Sequence, residues 1–400
     1  MAPPPSPLQL SEDQILYFRA KRGNLAGPGA ADIETAARDL LGAQAQQIAP
    51  ALLALSQRTK GRPTATEVHA RITDAPRSLV RTWGQRGTLH LYDAAADWRD
   101  VNLVREHWSP GGRRGAMPPA ATVNKVRKLL EAAEEPWTRA NLEGLLPAGY
   151  MKAVEEHLAA NRMPPEQAFR FAAGRVLWCL ALDGDACLGH KIGAEQTYIA
   201  RKHWFPKLPW QATKKGNAGE KQIFDIGVEM TRRYLQLYGP ATPKDVAHFF
   251  AAKVSEARTW IAQLEQGEEL IDVECGERNL LALKEDVDVL QTPAPRSQKE
   301  WPIRLLPLWD SMMMGHADKS WTVPNSTDRK RIWSAGAYVA ATILDRGRVV
   351  GTWKHKVQGK RLKVEVNELS GWKKSRHEAP TKRELKQIAH HLGLAEVIIS

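Results

Sequence analysis

Apolar residues recur at helical spacing through most of the chain, and most runs close on a glycine or proline signal. Ser11 to Arg22 (SEDQILYFRAKR) predicts a helix with Ser11 as N-cap and acids in its first turn. AADIETAARDLLG predicts a second, capped by Asp32 and stopped at Gly42. The later half of AQAQQIAPALLALSQRT is apolar at helical spacing, and TATEVHARITD predicts a further helix opened by Thr66. In SLVRTWGQRGTLHLYD the period changes to two β-rich runs flanking Gly84 to Gly87, which predicts a strand pair or wing.

The same order recurs twice. GEKQIFDIGVEMTRRYLQLYG, PATPKDVAHFFA (Thr242 as cap, Pro243 at the first helical position) and KVSEARTWIAQLEQG are three helices, followed by the hairpin EELIDVECGERNLLALKED. A noisier copy runs through ATVNKVRKLLEAAEE, WTRANLEGLLP and PPEQAFRFAAGRVLWCLALDGDACLG, with Asp183-Gly184-Asp185 at the expected hairpin tip. Helices followed by a hairpin are the winged-helix order. The predicted fold is therefore mainly α with small β (α+β): three tandem winged-helix units plus a C-terminal β-rich segment with a basic hairpin. The expected boundaries are a disordered leader at 1–10, then units at 11–110, 118–206 and 217–290, and a C-terminal α/β segment at 300–400. Linkers are expected at 108–119 and 207–217. In the last segment three short strands precede a closing helix, TKRELKQIAHHLG, capped by Thr381 and stopped by Gly393.

With 400 residues, 43% hydrophobic and 26% charged, the chain can bury sizeable cores, which excludes wholesale disorder. Cys179, Cys187 and Cys275 exclude a disulfide framework, and the Cys179–Cys187–His190 spacing matches no usual zinc pattern. No apolar run is long enough to span a membrane, and MAPPPSPLQL lacks the basic start and apolar core of a signal peptide. A reduced, cytoplasmic protein with no membrane contact is expected.

Charge changes the picture more. The formal net charge is +12, which points to a polyanionic partner. From Arg346 to Lys386 there are 13 Lys or Arg against 4 Asp or Glu, so this stretch carries +9 of the total. Strand alternation in GRVVGTWKHKVQGKRLKVEV sets Trp353 and His355 opposite Lys354 and Lys356. A cationic face made from Arg348, Lys354, His355, Lys356, Lys360, Arg361 and Lys363 can lie along phosphates or enter a groove. Lysines that guard an edge hairpin against aggregation are the alternative.

No nucleotide-binding glycine loop, HExxH, GxSxG or kinase signature appears. Glu106-His107 and His390-His391 lie on helical patterns without a partner set, and Met312 to Met314 read as flexible core filler. What stands out is uncharged: Gln44-Ala45-Gln46, just after Gly42, at the entrance to an apolar helix.

Four segments together carry a resemblance: LLGAQAQQIAPALLALSQRT, SLVRTWGQRGTLHLYDAAAD, LLPLWDSMMMGHADKS and ILDRGRVVGTWKHK. With RTWxxRGTLHL, LPxWD and GRVVGTW in this order, the chain resembles the AlkZ/YcaQ-like bacterial winged-helix DNA glycosylases, which unhook interstrand crosslinks and excise bulky alkylated purines. The QxQ form resembles the AlkZ branch, since relatives around YcaQ carry Asp where this chain has Gln46. The resemblance implies a catalytic Gln-aliphatic-Gln pair at Gln44 and Gln46, with no metal or organic cofactor. It implies a monofunctional N-glycosylase, monomeric, acting on double-stranded DNA that carries alkylated purines or crosslinks.

A carboxamide is no general base; it donates and accepts hydrogen bonds. That suffices when the leaving base is already cationic through N7 alkylation, because the enzyme then needs to place a water and favour an oxocarbenium-like sugar. In an extended segment residues i and i+2 point the same way, so both amides can face one site. The competing reading has Gln44 and Gln46 bind backbone groups at a helix start. A base tethered to the opposite strand cannot rotate out freely, so an open channel is expected rather than a closed base pocket. Arg81 and Arg86 are candidates for phosphate contact, and His90 is either a DNA contact or a core histidine. Trp309-Asp310 reads as a turn anchor, and Trp83 as core. The runner-up function is a non-catalytic winged-helix DNA-binding protein or transcriptional regulator.

Overall fold

The computed structural model describes residues 6–108, 115–210, 216–334 and 337–399. Helices dominate and the strands form small sheets, in keeping with the mainly α, small-β expectation. The chain divides into two compact units, residues 1–69 with 214–400, and residues 70–213. This division cuts through the expected unit at 11–110. Its helices Glu12–Arg22, Ile33–Asp39 and Ile48–Arg58 belong to the larger unit, and its hairpin Leu79–Trp83 and Leu89–Asp93 to the smaller. The cause lies in what covers the apolar faces. Ile15, Leu16 and Phe18 share a core with Trp301, Leu306 and Met313, and Leu53 shares another with Ile303, Ile343 and Leu385. Periodicity shows that a face will be buried, but not by which part of the chain.

In the larger unit, the expectation of a disordered leader is corrected at residues 6–10; residues 1–5 lie outside the described residues. Leu8–Gln9 pair in parallel with Val273–Glu274, and the Leu10 N–H donates to the Glu274 carbonyl at 3.0 Å. Leu10 is buried in the same core as Val273, so a leucine at every second position makes a strand despite the neighbouring prolines. The order of three helices and a hairpin is present at Asn217–Tyr238, Pro243–Phe250, Val254–Gln266 and Leu270–Cys275 with Arg278–Leu283. Thr242 caps its helix as expected, in a reciprocal capping box with Asp245.

Towards the C-terminus, the three expected strands belong to a five-stranded sheet. Its order is Glu396–Ile399, Arg361–Glu368, Arg348–Gln358, Thr342–Asp345 and Arg304–Leu306. The closing helix is corrected as well: it runs Lys374–His391, with Pro380 inside it and Thr381 buried rather than capping. Its added first turn is held by tertiary contacts. Arg376 and His377 reach Asp345 at 2.7 and 3.1 Å, and the Lys373 N–H donates to His377 Nδ1 at 2.8 Å. These anchors outweigh the proline signal.

The smaller unit contains the helices Ala120–Ala132, Ala148–Ala160 and Ala168–Leu182, then the hairpin Ala186–Ile192 and Glu195–Ala200. Two expectations are corrected here. WTRANLEGLLP forms only a short 3-10 turn at Arg139–Leu142, and the middle helix is Ala148–Ala160, which buries the stripe Tyr150, Val154 and Leu158. The hairpin turns at Gly193, where φ is +60°, while Asp183-Gly184-Asp185 joins helix to strand. Both expected linkers lie partly outside the described residues, at 109–114 and 211–215. Among the described residues no helix is long and apolar enough to cross a membrane.

Candidate active site

The Gln44-Ala45-Gln46 segment follows a sharp reversal. Helix Ile33–Asp39 ends in a Schellman arrangement, with Gly42 N–H donating to Ala37 O and Leu41 N–H to Arg38 O. The left-handed positions are Leu41 at φ +53° and Gly42 at φ +91°. A leucine seldom adopts that conformation, so this turn is strained immediately before the motif. Extended backbone then covers Ala43–Gln44, and a bend at Gln46 and Gln47 leads into helix Ile48–Arg58.

The two amides differ in exposure: Gln44 is 9% exposed, whereas Gln46 lies open to solvent. The extended run is too short to support the simple i, i+2 argument, because the chain bends at Gln46. Gln44 Oε1 is buried without a hydrogen-bond partner among the described residues. A buried carbonyl left unpaired costs free energy, so Gln44 Oε1 is poised to accept a hydrogen bond. The helix N-cap is Gln47, which makes no side-chain cap bond.

Helix Ile48–Arg58 tolerates Pro50 because it sits in the first turn, where the missing N–H has no intrahelical role. Its far end is fixed to the C-terminal part of the same unit. Gln57 Nε2 donates to Leu305 O at 2.7 Å, and Arg58 forms a bidentate pair with Asp310. Asp310 also accepts the Met312 N–H at 3.0 Å, and Trp309 adopts φ +54° with its indole N–H on Ala337 O. The expected Trp309-Asp310 turn anchor is therefore present, and its partner is the helix that follows the glutamines.

A cleft of about 650 Å³ opens beside the start of this helix. Its apolar lining includes Pro50, Leu53, Leu308, Ala341, Trp353 and Leu392, and Gln47 reaches it from the motif side. Neither Gln44 nor Gln46 lines it. Lys354, Lys356 and Lys363 from the basic hairpin line the same cleft. Strand register explains the sorting: Lys356 lies opposite Lys363 and Lys354 opposite Glu365, while His355 faces Val364 and Trp353 faces Val366. Trp353, Leu362 and Val364 are buried, and the lysines are exposed. Burial alternates along Arg361–Glu365, whereas on the facing strand it stops after Trp353, and 354–358 are all exposed.

The expected DNA contacts on the hairpin differ in how they are engaged within the protein. Lys354, Lys356, Lys360 and Lys363 are exposed, and none of them forms an ion pair among the described residues. His355 stacks on Trp353 at 5.2 Å, and burial pushes its pKa below the usual imidazole value. Arg361 pairs with Glu396 at 2.7 Å, both well exposed. Arg348 is part-exposed and engaged within the protein, by Asp13 at 2.7 Å and Glu12 at 3.0 Å.

In the smaller unit, RTWGQRGTLH forms a tight hairpin. A Cβ on Gly84 would fall 1.8 Å from the Tyr92 hydroxyl, which itself bonds to Gln85. Arg81 and Arg86 are half-buried; Arg86 sits at φ +59°, and burial lowers the Arg81 pKa. His90 is corrected as a DNA contact, being fully buried. Its Nδ1 lies 2.9 Å from Thr88 O, so that nitrogen donates, and Nε2 is left without a partner. Burial, reinforced by the nearby Arg86 charge, pushes its pKa down to about 3. Trp83, expected in the core, is half-buried and packs edge-on to the half-buried Trp178. Sequence reasoning missed Gln47, Leu53, Leu308 and Arg58; only Arg58, a charge closing an apolar helix, carried a local signal.

A family model described as DNA glycosylase AlkZ-like matches residues 37–393. An interstrand DNA cross-link repair glycosylase of Streptomyces sahachiroi is 25% identical over 360 residues, covering 87% of this chain and 88% of that protein. The solved structure of Streptomyces sahachiroi DNA glycosylase AlkZ is similar with a TM-score of 0.74 at 21% identity, covering 98% of this chain and 100% of that one. The family match includes the glutamine motif, its helix and the basic hairpin. The chain belongs to the AlkZ-like family of DNA glycosylases.

Proposed function

We propose that this protein hydrolyses the N-glycosidic bond of N7-alkylated purines in double-stranded DNA, including purines tied together in an interstrand crosslink. The observation that carries the reading is the family match over 37–393, which takes in Gln44 and Gln46. The named cross-link repair relative from Streptomyces sahachiroi supports the crosslink part. The protein acts as a monofunctional glycosylase and as a monomer.

Alkylation at N7 places a positive charge on the purine, so the C1′–N9 bond breaks with its electron pair neutralising the departing base. Water adds to C1′ and loses its proton to solvent, leaving an abasic site. Neither amide can keep that proton. Gln46, exposed at the bend, holds the attacking water; Gln44 orients that water or contacts the sugar through the carbonyl that has no partner of its own. Their contribution is positioning and dipole stabilisation of a cationic sugar. Lys354, Lys356, Lys360 and Lys363 grip phosphates beside it, with Arg361 at the start of the hairpin's second strand, and Arg81 and Arg86 are further candidates for phosphate contact.

The test is incubation with a duplex carrying N7-methylguanine and with an N7–N7 crosslinked duplex. Alkali-labile abasic sites and strand separation on a denaturing gel are the expected products. Binding of both duplexes with neither product formed would overturn the enzymatic reading.

A further inference from the structure

Gln47 does little for the helix it begins. It occupies the N-cap of Ile48–Arg58 with extended φ and ψ of −109° and 136°. Serine, threonine, aspartate and asparagine are favoured there, because their short side chains reach back to an orphan N–H of the first turn. Glutamine is one methylene longer than asparagine, and Gln47 makes no cap bond. Pro50, which has no N–H, leaves that turn one donor fewer to satisfy. The Gln47 carboxamide stands open to solvent and has no hydrogen-bond partner among the described residues.

The same side chain borders the cleft together with Lys354, Lys356 and Lys363. Two other lining residues are already engaged: the Tyr338 ring packs edge-on to Trp309, and His355 stacks on Trp353. The lysines suit phosphates. A neutral carboxamide, with a donor and an acceptor side by side, suits the edge of a base. The chemistry of the lesion selects which edge. A substituent on N7, or a tether between two N7 atoms, occupies the major groove, so the minor-groove edge stays free. There guanine presents N3 as acceptor beside its N2 amino donor, whereas adenine presents N3 alone. One glutamine amide matches the guanine pair, with Nε2 donating to N3 and Oε1 accepting from N2. N3 is also the edge atom nearest the C1′–N9 bond, and Gln47 directly follows Gln46, their Cα atoms about 3.8 Å apart. As the C1′–N9 electron pair passes to the base, electron density rises at N3. The bond donated to N3 therefore strengthens as the base departs.

We propose that Gln47 is a specificity-determining residue that holds the N3 and N2 edge of the alkylated purine and directs excision to guanine. This rests on the glycosylase reading above and deepens it: Gln44 and Gln46 serve the water and the sugar, and Gln47 holds the leaving base.

The test compares two duplexes of one sequence, carrying N7-methylguanine or N7-methylhypoxanthine, which lacks only the N2 amino group. Single-turnover excision rates are each divided by the spontaneous rate of loss of that base. Affinity is read separately by anisotropy of a distal dye, on 2′-fluoro forms of both lesions, whose glycosidic bonds resist cleavage. The wild-type protein is expected to favour N7-methylguanine about five- to tenfold in both measurements. Gln47→Leu should erase both preferences. Gln47→Ser, which restores a favoured cap residue, should erase them too while melting at or above the wild-type temperature. Preferences kept by both variants, or absent from the wild type, would overturn the proposal. So would a fall in the melting temperature of Gln47→Ser in step with its lost rate, which would assign Gln47 to the helix start. A wild-type binding preference that Gln47→Leu removes, with neither lesion excised, would overturn the glycosylase reading and leave the base contact standing.

Discussion

Arg58 and Asp310 form a bidentate ion pair closed off from solvent, with N–O distances of 2.9 and 2.8 Å. One is the last residue of the helix that follows the glutamines, and the other caps the short helix Ser311–Met314. Removing one partner strands a buried charge. Asp310→Asn or Arg58→Met should therefore lose about 3–5 kcal/mol of stability in urea denaturation. The paired substitution Arg58→Met with Asp310→Leu should recover most of it. A loss below about 1 kcal/mol for Asp310→Asn would place this pair with surface bridges in its effect.

Gln44→Ala and Gln46→Ala should each lower the single-turnover excision rate of N7-methylguanine by about 10²–10³, the usual effect of deleting one positioned hydrogen-bonding group. DNA affinity should stay within about twofold, since neither group is charged. Loss of affinity in step with rate would instead assign the glutamines to binding.

Charge removal separates the hairpin residues into two sets. Lys354→Ala, Lys356→Ala and Lys363→Ala should weaken DNA binding and flatten the plot of log K against log salt by about 0.9 for each phosphate no longer neutralised. Arg348→Ala should leave that slope unchanged, because its guanidinium is engaged by Glu12 and Asp13. An equal change in slope for Arg348 would show that those ion pairs open on DNA.

His90 ties stability to pH. Its folded-state pKa lies near 3, against about 6.5 in an unfolded chain. The unfolded state therefore binds the extra proton between those values. The contribution is fully present above about pH 6.5 and is lost progressively as pH falls towards 3. His90→Phe should reduce the slope of stability against pH in that window by up to about 1.4 kcal/mol per pH unit. An unchanged slope in calorimetric scans between pH 4 and 6.5 (about the limits of that window) would refute the assignment.

Local signals served where local chemistry decides. Ser11, Asp32 and Thr242 cap the helices expected of them, and alternation along Arg361 to Glu365 sorts a buried from a polar face. They failed where a distant partner decides. Thr381 reads as the cap of the closing helix, yet Asp345 holds an earlier turn; Leu8 and Leu10 read as leader, yet Glu274 gives them a strand to join. At the site, the motif itself was visible in the sequence. The cleft was not, because Leu53, Leu308, Trp353 and Leu392 meet only in the folded chain.

The Arg58–Asp310 pair also bears on how the chain is made. Its two members lie 252 residues apart. At synthesis rates of about 5–20 residues per second, the helix Ile48–Arg58 leaves the ribosome on the order of ten to fifty seconds before its counter-charge exists. Through that interval Leu53 lacks the core it shares with Ile303 and Ile343, and Arg58 lacks its carboxylate. The segment that carries the glutamines is translated early and completed late, so its final placement waits on the C-terminal part of the chain.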